Sequence, residues 1–234
     1  MKLSHGLAAL AMMASASLAH AELSGTVTAI SDYDYRGITQ TAQDPALQGS
    51  IDWSAESGLY LGAWGSNIDF GDCCDEDIEI DLYGGFRGGD EITWDIGFIY
   101  YMYPGTDPDL DYPEIYASVG REWLSGKIWY SNDFGNSDES SFYYEVNGNW
   151  ALPSDFGLSA HIGYSDGDAI DLLYADSYMD WSVGVTYPLG NFTLGLKYVD
   201  GSDLEILDGT PGDVFSSEAR AIFSVSTTFP WGSD

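Results

Sequence analysis

Positive charge is scarce in this chain. Its 234 residues hold seven Lys and Arg against 38 Asp and Glu, a formal charge of −31. Nucleic-acid binding needs a basic footprint, and that class is excluded. Docking on anionic lipid through a polybasic patch is excluded for the same reason. Such a charge keeps a protein soluble and repels other anions, and the acidity of proteins from salty habitats would account for much of the excess. Histidine is almost as rare, with His5, His20 and His161. No phosphate loop, dinucleotide fingerprint or Cys-x-x-Cys pair occurs, and no nucleophile motif surrounds any serine. No catalytic residue, metal site or cofactor is therefore expected. The two cysteines, Cys73 and Cys74, are adjacent. In an oxidising compartment they could form a vicinal disulfide, although neighbouring Cα atoms ~3.8 Å apart lie below the usual bridging range. A soft-metal role has no nearby histidine to support it.

Long apolar runs are also missing beyond the N-terminus. Lys2 precedes an apolar stretch from Leu7 to Leu18, and Ala19-His20-Ala21 follows as a small-x-small cleavage pattern. The stretch is well short of the ~20 residues that a spanning helix needs. Residues 1–21 are expected to be a signal peptide cleaved after Ala21, and residues 22–234 the mature domain. Export removes His5, His20 and one lysine but no acidic residue, which leaves the mature chain one unit more negative.

What is abundant is alternation, glycine (28) and tyrosine (17). In Ile92–Tyr103, Ile92, Trp94, Ile96, Phe98, Tyr100 and Met102 share one face, opposed by Thr93, Asp95 and Gly97. Period-two runs recur at Ile78–Arg87, Phe142–Trp150, Phe156–Ser165, Asp180–Tyr187, Phe192–Tyr198 and Glu218–Phe229, with weaker ones near 23–31, 46–54, 59–66, 112–121 and 123–131. That makes about twelve strands, joined alternately by short turns and long loops. Short turns at one end and long loops at the other predict an all-β, closed antiparallel up-and-down transmembrane barrel. About ten residues per strand at ~3.3 Å, tilted ~40°, span roughly the 25 Å apolar band of such barrels. Trp53, Trp94, Trp123, Trp150 and Tyr187 near the turns, with Tyr103, Tyr164 and Tyr198 near the loops, are expected to form two aromatic belts. Closure is required because an open edge in hydrocarbon would leave backbone groups unpaired. A secreted soluble β-sandwich or barrel with its apolar faces inward has the same alternation and stays open at this point.

The run Ser31-Asp32-Tyr33-Asp34-Tyr35-Arg36-Gly37-Ile38-Thr39-Gln40-Thr41, followed by Asp44-Pro45-Ala46-Leu47-Gln48-Gly49, resembles the opening signature of the TorF-type porin family of proteobacterial outer-membrane proteins. Gly58–Gly62, Trp64, Ser66-Asn67, Glu79–Gly85, Tyr103-Pro104-Gly105 and Glu114-Ile115-Tyr116 continue it. The match is specific in the first half of the chain and follows mainly strand pattern in the second. It implies a barrel porin of the Gram-negative outer membrane with no carried-over catalytic residue and no defined solute, the family name pointing to small nitrogenous osmolytes.

In a barrel the inward faces would carry Asp52, Glu79, Asp81, Arg87, Asp95, Glu114, Lys127, Glu145, His161, Asp180, Lys197, Glu218 and Arg220. A bore rich in carboxylates favours cations, and opposite charges across it orient zwitterions. These charges could instead pair and plug the bore. Tyr33, Tyr35 and Arg36 at the outer end of the first strand suit either a constriction at the mouth or a loop anchor. Asp107, Asp109 and Asp111 lack the Gly and distant Glu of a calcium loop and read as a solvated charge run, with weak divalent bridging to lipopolysaccharide as the alternative. The expected partners are outer-membrane lipid and lipopolysaccharide, the barrel-assembly machinery and small polar solutes; the oligomeric state is left open. The leading expectation is a channel for passive diffusion. Its rivals are a non-conducting structural or adhesive barrel and a lipid-modifying barrel enzyme.

Overall fold

The computed structural model describes residues 21–71, 77–106, 109–202, 204 and 214–231. The expected leader up to residue 20, the Cys73–Cys74 pair and Asp72, Asp75, Glu76 and Asp107 lie outside the described residues.

Twelve strands close into one antiparallel barrel. They are β1 (Ala21–Ile30), β4 (Ala46–Ala55), β5 (Leu59–Asn67), β6 (Ile78–Gly89), β7 (Thr93–Met102), β8 (Tyr112–Arg121), β9 (Leu124–Ser131), β10 (Ser141–Ala151), β11 (Gly157–Asp166), β12 (Tyr178–Leu189), β13 (Phe192–Gly201) and β14 (Arg220–Phe229). Neighbours in sequence pair along the wall, and β1 closes the ring on β14 from Gly25↔Phe229 to Ile30↔Ser224. Two short strands, β2 (Asp34–Tyr35) and β3 (Ile38–Thr39), pair with each other in the first long connection. A helix of about two turns, α1 (Asp168–Tyr174), sits in the fifth and buries Ala169 and Ile170. The short turns gather at one rim and the six long connections at the other, as the alternating loop lengths predict.

The direction of the apolar face separates a membrane barrel from a soluble one. Ile96 is 60% exposed, Phe98 48% and Val183 44%, so the greasy faces point outward. An apolar exterior band of this kind fits lipid and would be a liability in water. Aromatic side chains stack on the outside at the turn rim, with Trp123 on Trp150 at 5.2 Å and Phe156 on Tyr187 at 4.9 Å. Trp181 and Tyr198 pack at 5.7 Å closer to the loops. Tyr103 departs from the expected belt. It shares the inward parity of Tyr101 and is buried within the loop end.

The interior is not uniformly wet. At the loop end Tyr33, Ile38, Ile68, Phe70, Tyr101, Tyr112, Phe134, Ile170 and Tyr178 pack into one buried cluster. Towards the turns the inner face changes to tyrosine, carboxylate and small polar side chains. Glycine makes room for the tyrosines: a Cβ on Gly97 would stand 2.6 Å from the Tyr116 hydroxyl, so the ring lies flat against the wall only where the neighbouring strand has no side chain.

Candidate functional site

The β2–β3 hairpin folds into the barrel and packs across its bore. Its tip is a two-residue turn, Arg36 (φ 51°) and Gly37 (φ 86°). Positive φ at both positions is the primed turn that suits a tight hairpin. Gly37 is required twice, by its φ and by contact with β12, since a Cβ there would stand 2.7 Å from Asp180 Cβ.

Two arginines lock the hairpin. Arg36 Nη2 donates to Glu114 Oε2 on β8 at 2.7 Å, with both side chains nearly sealed from solvent. Its guanidinium also lies over Tyr143 at 4.3 Å and Tyr35 at 4.7 Å. Burial works against the charge on Arg36, but Glu114, Tyr35 and Tyr101 outweigh it and hold the pKa well above the ordinary arginine value. From the opposite wall Arg220 on β14 donates to Asp32, to Asp34 Oδ1 at 2.6 Å and to the Gly37 carbonyl at 3.0 Å. Lys197 on β13 adds a 3.0 Å bond to Asp34. Tyr33 donates to Glu79 on β6 at 3.1 Å, and Tyr35 and Tyr112 share a hydroxyl contact at 3.2 Å. The hairpin is thus held by four different strands and both signs of charge.

Beneath the hairpin lies a polar cavity of about 390 Å³. Its roof is Asp34, Tyr35 and Arg36, and its wall is β10 to β13. His161 is central: Nε2 lies 2.9 Å from both Asp180 Oδ1 and Tyr143 Oη, and Nδ1 lies 2.8 Å from Asn147 Oδ1. Glu145 accepts from Trp129 Nε1 at 2.7 Å and from Asn147 at 2.8 Å. Asn149, Ser159 and Ser182 complete the wall with small hydrogen-bonding side chains. This arrangement can exchange hydrogen bonds with water or a polar solute along its length.

The remaining expected residues divide between the two ends. Glu79 and Asp81 are buried on β6, and Asp81 Oδ1 has no hydrogen-bond partner among the described residues. Towards the turns, Tyr83 donates to Asp52, and Tyr60 donates to Asp95 at 2.6 Å while meeting Tyr116. Arg87 lies over the Tyr60 ring at 5.3 Å, and Lys127 sits 3.7 Å from the ring centres of both Tyr116 and Trp129. The Glu218 side chain joins none of these groups, although its carbonyl accepts from Arg220 Nη1 at 3.1 Å. It precedes β14 and is exposed, because the preceding segment pairs with the hairpin instead, Thr39 N donating to Ser216 O at 3.0 Å. Sequence reasoning missed Asp32, Asp34, Gly37 and Tyr143. For the first three the signal was the alternation of acid and aromatic up to an Arg-Gly pair, which marks a hairpin with two faces of its own; for Tyr143 it was the inward parity it shares with Glu145 on β10.

A family model described as a bacterial protein of unknown function (Gcw_chp) matches residues 14–229. No curated protein matches in sequence. Among solved structures, the NanC porin superposes with a TM-score of 0.58 at 10% identity, covering 90% of this chain and 100% of that one. The KdgM porin, solved in complex with disordered oligogalacturonate, gives 0.55 at 8% identity, covering 90% and 99%. An outer membrane channel from Pseudomonas putida gives 0.48 at 9% identity, covering 91% and 96%.

Proposed function

The chain belongs to the Gcw_chp family of bacterial proteins, and from that premise and its porin-like fold we propose that it is an outer-membrane channel for passive diffusion of small polar solutes, cationic or zwitterionic. The observation that carries this reading is the polar cavity inside a barrel whose apolar side chains face outward. Carboxylates outnumber bases on the inner face, with Asp52, Glu79, Asp81, Asp95, Glu114, Glu145 and Asp180 against Arg87, Lys127, Lys197 and Arg220. An acidic, low-dielectric passage concentrates cations and repels anions. Lys197 and His161 facing Glu145 and Asp180 would orient a solute bearing both charges. The hairpin tip, with Tyr33, Tyr35 and Arg36, is the constriction in this account. The resemblance of its sequence to the TorF-type porins supports the same reading.

Residues 1–21 would then be a leader removed after Ala21, which leaves Glu22 to open β1 opposite Ser54. Lipopolysaccharide would surround the acidic loops, the barrel-assembly machinery would insert the chain, and the protein would supply neither energy nor covalent chemistry. One observation favours a second reading: the loop end is packed with buried side chains, as in a barrel that holds or adheres rather than conducts. Planar-bilayer recording of purified protein separates the two. Stepwise conductance in salt with cation preference is expected, and its absence would overturn the channel.

A further inference from the structure

We propose that the loop end holds a binding chamber for small organic cations with an apolar body, of the class of protonated aryl-alkyl amines. The proposal rests on the channel reading only for the side of the membrane that the chamber faces.

A cavity of about 230 Å³ lies above the hairpin. All six long connections converge on it, each contributing a side chain: Gln40, Phe70, Tyr103, Phe134, Tyr174 and Phe215 in chain order. Such convergence is not the residue of one loosely packed loop. Tyr35 lines both this chamber and the polar cavity below and forms the partition between them.

The chemistry of the lining selects the occupant. Aromatic rings dominate it, and their faces carry the negative end of the ring quadrupole, which attracts cations within about 6 Å. Among the described lining residues Glu79 is the one charged group, and it is 1% exposed. Among the described residues no cation lines the chamber to receive a phosphate or carboxylate, and the nearby Arg36 is already committed to Glu114. An anion would find no partner, and a zwitterion would set its carboxylate against Glu79. A neutral ring would gain the apolar contacts and lose the electrostatic ones. The volume is below the ~300–1,000 Å³ of pockets for drug-sized ligands, so the occupant is small.

The test is calorimetric titration of the full chain in detergent, with empty micelles subtracted, using 2-phenylethylammonium, its neutral isostere 2-phenylethanol, and phenylalanine. The amine is expected to saturate one site and to bind about tenfold more tightly than either control. Glu79→Gln should shrink the difference between amine and alcohol. Leu173→Trp should abolish saturable binding by filling the chamber from the partly exposed end of α1. Circular dichroism confirms that each variant keeps its barrel. Equal affinity for amine and alcohol, or amine binding that survives Leu173→Trp, would overturn the chamber. A protein that conducts without binding amine sinks this proposal alone; one that binds amine without conducting sinks the channel alone.

Discussion

Towards the turns the barrel is lined by groups that exchange hydrogen bonds readily: Asn147, Asn149, Ser159, Ser182 and the Tyr60–Asp95 and Tyr83–Asp52 pairs. Towards the loops it is lined by rings, Ile38 and Ile170, with Arg36 and Arg220 each meeting a carboxylate, while the buried Glu79 accepts from the Tyr33 hydroxyl instead. The same twelve strands pass through both regions, so strand geometry does not produce the difference. The first long connection does: by folding inward it gives the loop end a second surface to pack against, and a dry core becomes affordable there. Among the described residues the turn end has no such insert, and it stays polar. Tight packing and hydrogen-bonding capacity are thereby assigned to different depths of one barrel.

The largest blow to this division should come from Arg220→Ala. It leaves Asp32 and Asp34 sealed without their main counter-charge, and breaking a buried pair in this way costs about 3–5 kcal/mol. The hairpin should leave the bore, with single-channel conductance raised several-fold and the thermal midpoint lowered. Unchanged conductance would mean that the hairpin does not limit flow. Gly37→Ala attacks the same insert through its backbone. Left-handed φ and the nearness of Asp180 predict a loss of about 1–3 kcal/mol, read as an earlier unfolding transition. A sharper contrast lies in neutralising carboxylates at different depths. Asp95→Asn with Glu145→Gln should move the reversal potential in a salt gradient towards zero, whereas Asp81→Asn, buried at the loop end, should move it less and register mainly as a change in stability. Equal shifts from both would erase the distinction between the two ends. The smallest effect is expected from Tyr35→Phe, which removes one hydroxyl contact with Tyr112 worth about 0.5–1.5 kcal/mol; chemical denaturation should register it while conductance barely moves.

The wall of the molecule was legible before any coordinates, because its signal is local. In Ile92–Tyr103 the parity of each residue alone decides whether it meets lipid or lumen, and Ile96, Phe98 and Tyr101 fall where alternation puts them. The interior was less legible. Arg220 and Asp32 are 188 positions apart, and nothing in either neighbourhood says that closing the ring brings them together. The list of inward charges therefore named Arg220 without its partners. It placed Glu218 on the same face by extending the parity past the start of β14, where the backbone turns to pair with the hairpin. The wall of the polar cavity was readable by parity, which put Glu145, His161, Asp180 and Lys197 inside, whereas the loop-end chamber was not, since it arises from contacts among loops that share no sequence pattern.

The hairpin follows β1 directly, and its clamp, Arg220, stands on β14, while Ser31 N donates across the same junction to Phe223 O at 2.9 Å. These are the first and last strands of the ring. A chain whose seam is still open thus keeps the bonds from β6, β8 and β13 within reach of the insert but lacks the one clamp that stands next to its root. Zipping the seam supplies that clamp, so that closing the cylinder also tightens its stopper.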